Sequence, residues 1–234
     1  MKILQLFSDW KWTGPADPVL NLCEELEKRG HDVTFAYGKP PLPVEDSIEK
    51  RVSKREVKAT TQFRLNHTLK VYHPSSIWDN LFDISNLTHY LHQENFDILN
   101  VHHSHDHVLG GIAVKRSKVP TIVIRTDHKR DSIKPTLGNR LLISHFTDGM
   151  ITFSERARRD DAEHFGLPME RVARVWPALN LERIDSKKDF KNMRAVLGIG
   201  PEDIVIGMIA RFQKYRRTKV FLEAVRTIAK EFPK

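Results

Sequence analysis

The sequence predicts an α/β protein in which a parallel sheet is covered by helices on both faces. Three observations carry this. Short strands alternate with helical segments of roughly 10–15 residues, the rhythm of βαβ units. The strands read as near-continuous apolar runs, as strands buried on both faces do. Several helices end on stop signals, as at Gly30, which follows Lys28 and Arg29.

Taken in order, residues 2–7 (KILQLF) are an apolar run bounded by turn residues and read as the first strand. Residues 17–29 form a helix, with Val19, Leu22, Cys23 and Leu26 on one face and Pro18 in its first turn. Residues 32–37 (DVTFAY) are the second strand, and the polar, Pro-rich residues 38–53 read as a loop. Two weaker strands are expected at 56–63 and 68–72. Ile77, Leu81, Ile84, Leu87 and Leu91 then trace a helical stripe. The second half repeats the rhythm: strand 96–101, helix 106–116, strand 121–125, helix 134–146, strand 148–153, helix 155–165 and strand 171–176. Ser154 is placed to cap the helix at 155–165, and Gly166 follows it.

These elements define a first domain at 1–176. Residues 177–190 (PALNLERIDSKKDF) lose the pattern and read as a linker. A second domain begins at 191–234, with a short helix (191–197), an apolar strand (204–210) and a helix (217–231). One strand and one helix cannot bury both faces of a sheet, so this unit is expected to be truncated at Lys234.

Composition narrows the function classes. The single cysteine, Cys23, rules out an intrachain disulfide and fits a reducing compartment. No run approaches the ~20 apolar residues of a membrane span. The opening MKILQLFSDWKWTG lacks the apolar length and cleavage site of a signal peptide, so a cytoplasmic location is expected. The net charge of +8 favours anionic partners, among them nucleic acid, acidic lipid and phosphorylated metabolites. The chain shows no finger, RNP or KH pattern, so no nucleic-acid partner is expected.

Ligands of open parallel sheets bind beyond the carboxyl ends of the strands, which selects five segments. Ser8–Gly14 (SDWKWTG) has only Gly14 where a dinucleotide fingerprint needs GxGxxG. The loop can still present helix N-terminal amides to a phosphate or sugar, or be a tight turn. NVHHSHDH (100–107) holds four histidines, without the HExxH spacing or accompanying Cys and Glu of a zinc site. There His102 and Asp106 are expected to face a polar cleft, with Asp106 alternatively the N-cap of its helix. In RTDHKRD (125–131), a histidine flanked by arginines can meet a sugar hydroxyl or an anionic acceptor, or be a solvated loop. Ser154–Arg156 is a helix cap or a ligand contact. RFQKYRR (211–217) is a basic loop at a helix start, suited to a diphosphate or simply solvated.

Six pieces in this order resemble the family 4 glycosyltransferases of GT-B fold, which pair two Rossmann-like domains. They are MKILQLF…Gly14…LNLCEELEKRGHDVTF, FDILNVHHSHD, TIVIRTDH, DGMITFSERARRD, VARVWPALNLERID and IGMIARFQKYRRTKVFLEA. The resemblance implies that residues 1–176 are the acceptor-binding Rossmann-like domain and 191–234 the beginning of the donor-binding one. It implies transfer of a sugar from a nucleotide sugar to an acceptor hydroxyl, with retention and without a metal or other cofactor. Gly14 would then lie near the donor phosphate, His128 would be the catalytic cleft histidine, and Arg211 would hold the donor diphosphate. Arg216 stands where members carry the lysine of a Lys-Gly pair, so Arg216–Arg217 departs from the pattern and adds bulk at the helix start. Trp12, with Trp10 and Lys11, would stack on a sugar or lipid headgroup, or pack; with His102, Asp106 and Arg125 it makes the expected acceptor side. The carboxylate-bearing E-x7-E segment of the family would fall beyond Lys234, so this chain alone is expected to be inactive. A sugar or lipid-linked acceptor of lipopolysaccharide type, with peripheral contact at the inner face of a membrane, is in keeping with the basic charge. The alternatives are a nucleotide-sugar epimerase of the same fold and a non-catalytic α/β binding module.

Overall fold

The computed structural model describes residues 1–40, 42, 44–65, 74–129, 131–177, 181, 193–210 and 212–232, with the backbone alone at 74–76 and 215. The chain divides into two compact units, Met1–Asn180 and Leu181–Lys234.

The first unit is built on a seven-stranded sheet, parallel throughout: β1 (Lys2–Phe7), β2 (Asp32–Tyr37), β3 (Ala59–Thr60), β4 (Ile98–Val101), β5 (Ile122–Thr126), β6 (Gly149–Thr152) and β7 (Val172–Arg174). Their order is β3-β2-β1-β4-β5-β6-β7. The helices between them are α1 (Ala16–Lys28), α2 (Ile48–Val52), α3 (Pro74–Glu94), α4 (Ser104–Ser117), α5 (Leu137–Phe146) and α6 (Glu155–Phe165). This is the expected Rossmann-like α/β architecture.

Two core clusters explain why the strand runs are apolar throughout. Ile3 and Phe7 of β1 join Val33 and Phe35 of β2 against Val19, Leu20 and Cys23 of α1. Leu4 and Leu6, one residue out of phase, join Leu99 and Val101 against Leu87 and Leu91 of α3 and Leu109 and Ala113 of α4. Successive side chains of a strand point to opposite faces, so both must be apolar. Burying each large side chain contributes about 1.5–3 kcal/mol. Two adjacent glycines let α4 approach closely. A Cβ on Gly110 would stand 2.8 Å from Leu99 Cδ2, and one on Gly111 2.6 Å from Phe146 Cβ.

Several expectations need correcting. Residues 38–53 are not loop throughout, because Ser47 accepts a bond from the Lys50 amide and caps the short helix α2, whose Ile48 and Val52 complete a core. The strand expected at 56–63 shrinks to Ala59–Thr60, the only two residues in register with β2. That expected at 68–72 lies outside the described residues. In α3, Ile84, Leu87 and Leu91 are buried as expected, whereas Ile77 and Leu81 are exposed. Helix α6 matches its predicted bounds, with Ser154 accepting from the Ala157 amide and Gly166 left-handed at its end.

In the second unit the described elements are α7 (Met193–Val196), a 3-10 turn (Lys214–Arg216) and α8 (Thr218–Glu231). The strand expected at 204–210 does not form among the described residues. The reason is physical: a strand satisfies its backbone groups only through a neighbour, and no other strand is found in this unit among the described residues. Ile204, Val205, Ile206 and Ile209 are accordingly exposed. Arg217, at the start of α8, takes the left-handed conformation at φ 54°. The linker expected at 177–190 lies almost wholly outside the described residues. Among those described, no helix is long and apolar enough to cross a membrane.

Candidate active site at the carboxyl edge of the sheet

The strand order reverses at β1. From it the chain crosses to β2 on one side and, later, to β4 on the other. The carboxyl ends of strands at such a reversal leave a crevice. Here it is bordered by the loop after β1, the β4–α4 junction and the end of β5. A cavity of about 430 Å³ lies there, lined by Pro15, His102, His103, Arg125, Asp127 and His128 among others.

Asp106 shapes this edge from within. It is fully buried, three residues into α4 after the N-cap His103. Its Oδ1 accepts the Ser8 amide at 2.9 Å, and Oδ2 accepts the amides of His102 (3.1 Å) and His103 (2.8 Å). Burial alone would raise its pKa. Hydrogen bonding and charge from His103, the bond from Ser8 and the nearby His102 outweigh burial and hold the carboxyl well below its ordinary range. Asp106 therefore ties β1 to β4 and α4. It is neither the N-cap of its helix nor open to the cavity, which corrects both expectations for it.

The histidines divide by partner. His105 Nε2 lies 2.8 Å from Asn80 Oδ1, and His107 Nε2 2.7 Å from Thr147 Oγ1. Both are buried. Burial, then the charge of Arg125, brings the pKa of His107 down to about 3. His102 lines the cavity with its Nδ1 2.9 Å from His128 Nε2. Burial first, then His128, hold His102 well below its ordinary range. His128 also lines the cavity, edge-on to Phe153, and burial followed by His103 and Arg125 lowers it to about 4. Both rings of that pair are thus neutral near neutral pH. Among the described residues no group of three or more His, Cys, Asp or Glu is placed to hold a metal ion.

Arg125 is the penultimate residue of β5 and is only 4% exposed. Its Nη2 is 3.9 Å from Asp127 Oδ1, while Nε and Nη1 have no hydrogen-bond partner among the described residues. Burial lowers its pKa, against the charges of Asp127, Asp106 and Asp161. Asp161, from α6, accepts the Ile133 amide and is raised to about 6, chiefly by burial.

Gly14 precedes α1 on the exposed side. A Cβ there would meet nothing within 4 Å, and its backbone is not in the left-handed region. Nothing in the fold requires a glycine at this position. Trp12 packs against the core cluster under α1, with the Arg51 guanidinium 5.3 Å above its ring. Of the alternatives for Trp12, packing is what the structure shows. Arg216 is exposed in the second unit's 3-10 turn, and Arg211 lies outside the described residues.

Sequence reasoning missed His103, Asp127 and Lys129 as cavity residues. It also missed Gln5, Asn100 and Thr126, which lie behind His102. Their signal was present: Gln5 and Asn100 are amides inside otherwise apolar strand runs.

The chain belongs to Glycosyltransferase Family 4, whose family model matches residues 14–183. Among curated proteins it is similar to N-acetyl-alpha-D-glucosaminyl L-malate synthase of Bacillus anthracis, 21% identical over 215 residues, covering 90% of this chain and 54% of that protein. Among solved structures it resembles a glycosyltransferase from Rickettsia africae (TM-score 0.74, 13% identity, 97% of this chain and 57% of the other). It also resembles the UDP-GlcNAc 2-epimerase of Neisseria meningitidis (TM-score 0.59, 19% identity, 85% and 53%). At such identities the structural likeness shows the fold alone. The chain spans about half the length of these relatives.

Proposed function

We propose that the protein transfers a sugar from a nucleotide-sugar donor to an acceptor hydroxyl, with retention at the anomeric carbon. The observation that carries the reading is the histidine- and arginine-lined cavity at the strand-order reversal, in a chain that belongs to a glycosyltransferase family. In this reading Gly14 leaves room for the donor phosphate, and His128 meets the transferred sugar. His102 and Arg125 stand on the acceptor side, with Asp106 holding the backbone that carries His102. Trp12 supports the wall of the site through its packing. Negative charge develops on the leaving diphosphate as the glycosidic bond breaks, and fixed positive charge stabilises it. Arg211 and Arg216 supply that charge, and no metal is required. Water must also be kept from the donor, a task suited to closure of two domains. A sugar or lipid-linked acceptor, met at the inner face of a membrane, agrees with the net charge of +8.

The test is calorimetric binding of UDP- and GDP-sugars to the full-length protein, beside Arg211→Ala and Arg216→Ala. One donor should bind without metal, and both substitutions should weaken it. No binding, or no effect of either substitution, would sink the donor-site assignment. The likeness to a UDP-GlcNAc 2-epimerase favours one second reading, epimerisation of the nucleotide sugar itself. Product analysis separates the two: an epimerase needs no acceptor and releases no nucleoside diphosphate as its main product.

A further inference from the structure

Behind His128 runs a line of polar groups that reaches it through His102. The Thr126 hydroxyl donates to Asn100 Oδ1 at 2.8 Å, and Asn100 Nδ2 donates to Gln5 Oε1 at 2.8 Å. Gln5 Oε1 lies 2.9 Å from His102 Nε2, and His102 Nδ1 lies 2.9 Å from His128 Nε2. Gln5, Asn100, His102 and Thr126 are all buried.

A neutral imidazole carries one N–H and one lone pair, and its partners decide which nitrogen has which. The amide oxygen of Gln5 can only accept, so His102 donates from Nε2–H. Its Nδ1 is then a lone pair, and it accepts from the Nε2–H of His128. That leaves Nδ1 of His128 without a proton, and this nitrogen is buried with no hydrogen-bond partner among the described residues. The reverse polarity would turn both amides and put an N–H at that position with nothing to accept it. Orphaned buried N–H groups are rarer than unused acceptors, so the first polarity is favoured.

We propose that Gln5, Asn100, Thr126 and His102 are positioning residues that hold His128 as its Nε2–H tautomer, so that the site offers a bare Nδ1 to a hydroxyl proton of the ligand. The reaction therefore selects a hydroxyl-bearing group at this point, since a carboxylate or phosphate oxygen gains nothing from a lone pair. The ligand half of this inference rests on the transferase reading; the tautomer half does not.

Long-range proton–nitrogen NMR correlation on histidine-labelled chain, near neutral pH, reads the tautomer directly. His128 should show an unprotonated Nδ1 and a protonated Nε2, and His102 the same pair. A protonated Nδ1 on His128, or an even mixture, overturns the proposal. Gln5→Met removes the acceptor that sets the polarity, so both rings should shift toward mixed tautomers. A Gln5 that only fills space would lower stability and leave these signals in place. Should Gln5→Met fail to fold, Gln5→Glu serves. Its carboxylate favours doubly protonated His102, whose Nδ1–H then drives the His128 proton to Nδ1; an unchanged His128 overturns the relay. Finally, the nucleotide sugar that binds in the calorimetric panel should move Nδ1 of His128 far more than Nε2. A ligand that binds without moving Nδ1 removes the ligand half. Absence of any binding, with the tautomer as expected, counts against the transferase reading and leaves the relay standing.

Discussion

Replacing Asp106 by alanine should destabilise the first unit far more than its position on a helix suggests. Its two oxygens satisfy three backbone amides, those of Ser8, His102 and His103, and the carboxylate is fully buried. Each buried donor left without an acceptor costs about 1–3 kcal/mol. Part of that is offset because a charge no longer has to be desolvated, and three neighbouring losses are not strictly additive. The expected net loss is about 3–5 kcal/mol, against a total of about 5–15 kcal/mol for a domain. Asp106→Asn keeps one acceptor oxygen but turns an NH2 group toward amide donors, so its cost should lie between wild type and alanine. Urea unfolding followed by tryptophan fluorescence and by circular dichroism measures both variants. A loss below about 1 kcal/mol for Asp106→Ala would refute the reasoning, since it would mean that these amides find water or other partners easily. Because the carboxyl is held below its ordinary range, its contribution is present above the unfolded value near 3.9 and is lost only as pH falls below it.

Acid should weaken the fold earlier than that, because the depressed histidines are stable only when neutral. Their contribution is fully present above about pH 6.5 and is lost as pH falls toward 4; His128 alone, lowered to about 4, accounts for about 3 kcal/mol. Asp161, raised to about 6, works in the opposite direction across that window, so Asp161→Asn should steepen the rise of the urea midpoint between pH 4 and 6.5. An unchanged slope would show that this carboxyl does not titrate there. Gly111→Ala should lower the melting temperature, since its Cβ would meet Phe146 Cβ at 2.6 Å. Overpacking of this kind costs about 1–3 kcal/mol, offset by at most ~1 kcal/mol of helix propensity. Arg217→Gly should relieve left-handed strain of about 1–2 kcal/mol, seen as slower amide exchange in α8.

The alternation of apolar runs and helical stripes made the parallel sheet legible, because in this fold burial on both strand faces is a direct consequence of the layers. Helix α6 was readable to the residue, since Ser154 and Gly166 are local signals that need no tertiary partner. The failures came where a partner decides. Residues 204–210 have strand composition, yet strand formation needs a neighbour that is not found in their unit among the described residues. Helix α2 was lost among prolines and charges, because only Ile48 and Val52 of its short turn reach the core. In the candidate site, His102, Arg125 and His128 were reachable from the rule that ligands meet strand ends. The role of Asp106 was not, because nothing local says that its carboxylate reaches back to the amide of Ser8.

The amide pair at the centre of the sheet also bears on how the chain finds its alignment. Gln5 stands opposite Asn100 in the pairing of β1 with β4, between partners that are all aliphatic: Ile3 with Ile98, Leu4 with Leu99, Leu6 with Val101. An apolar ladder alone tolerates a slide of two residues, since every side chain keeps its face. Here such a slide would set Asn100 against Ile3 or Phe7 and Gln5 against His102 or Ile98, so that the two amides no longer face each other. The pair therefore acts as a key for strand alignment. A chain with Gln5 and Asn100 both replaced by leucine should fold to a sheet at least as apolar, with less power to reject the shifted pairing.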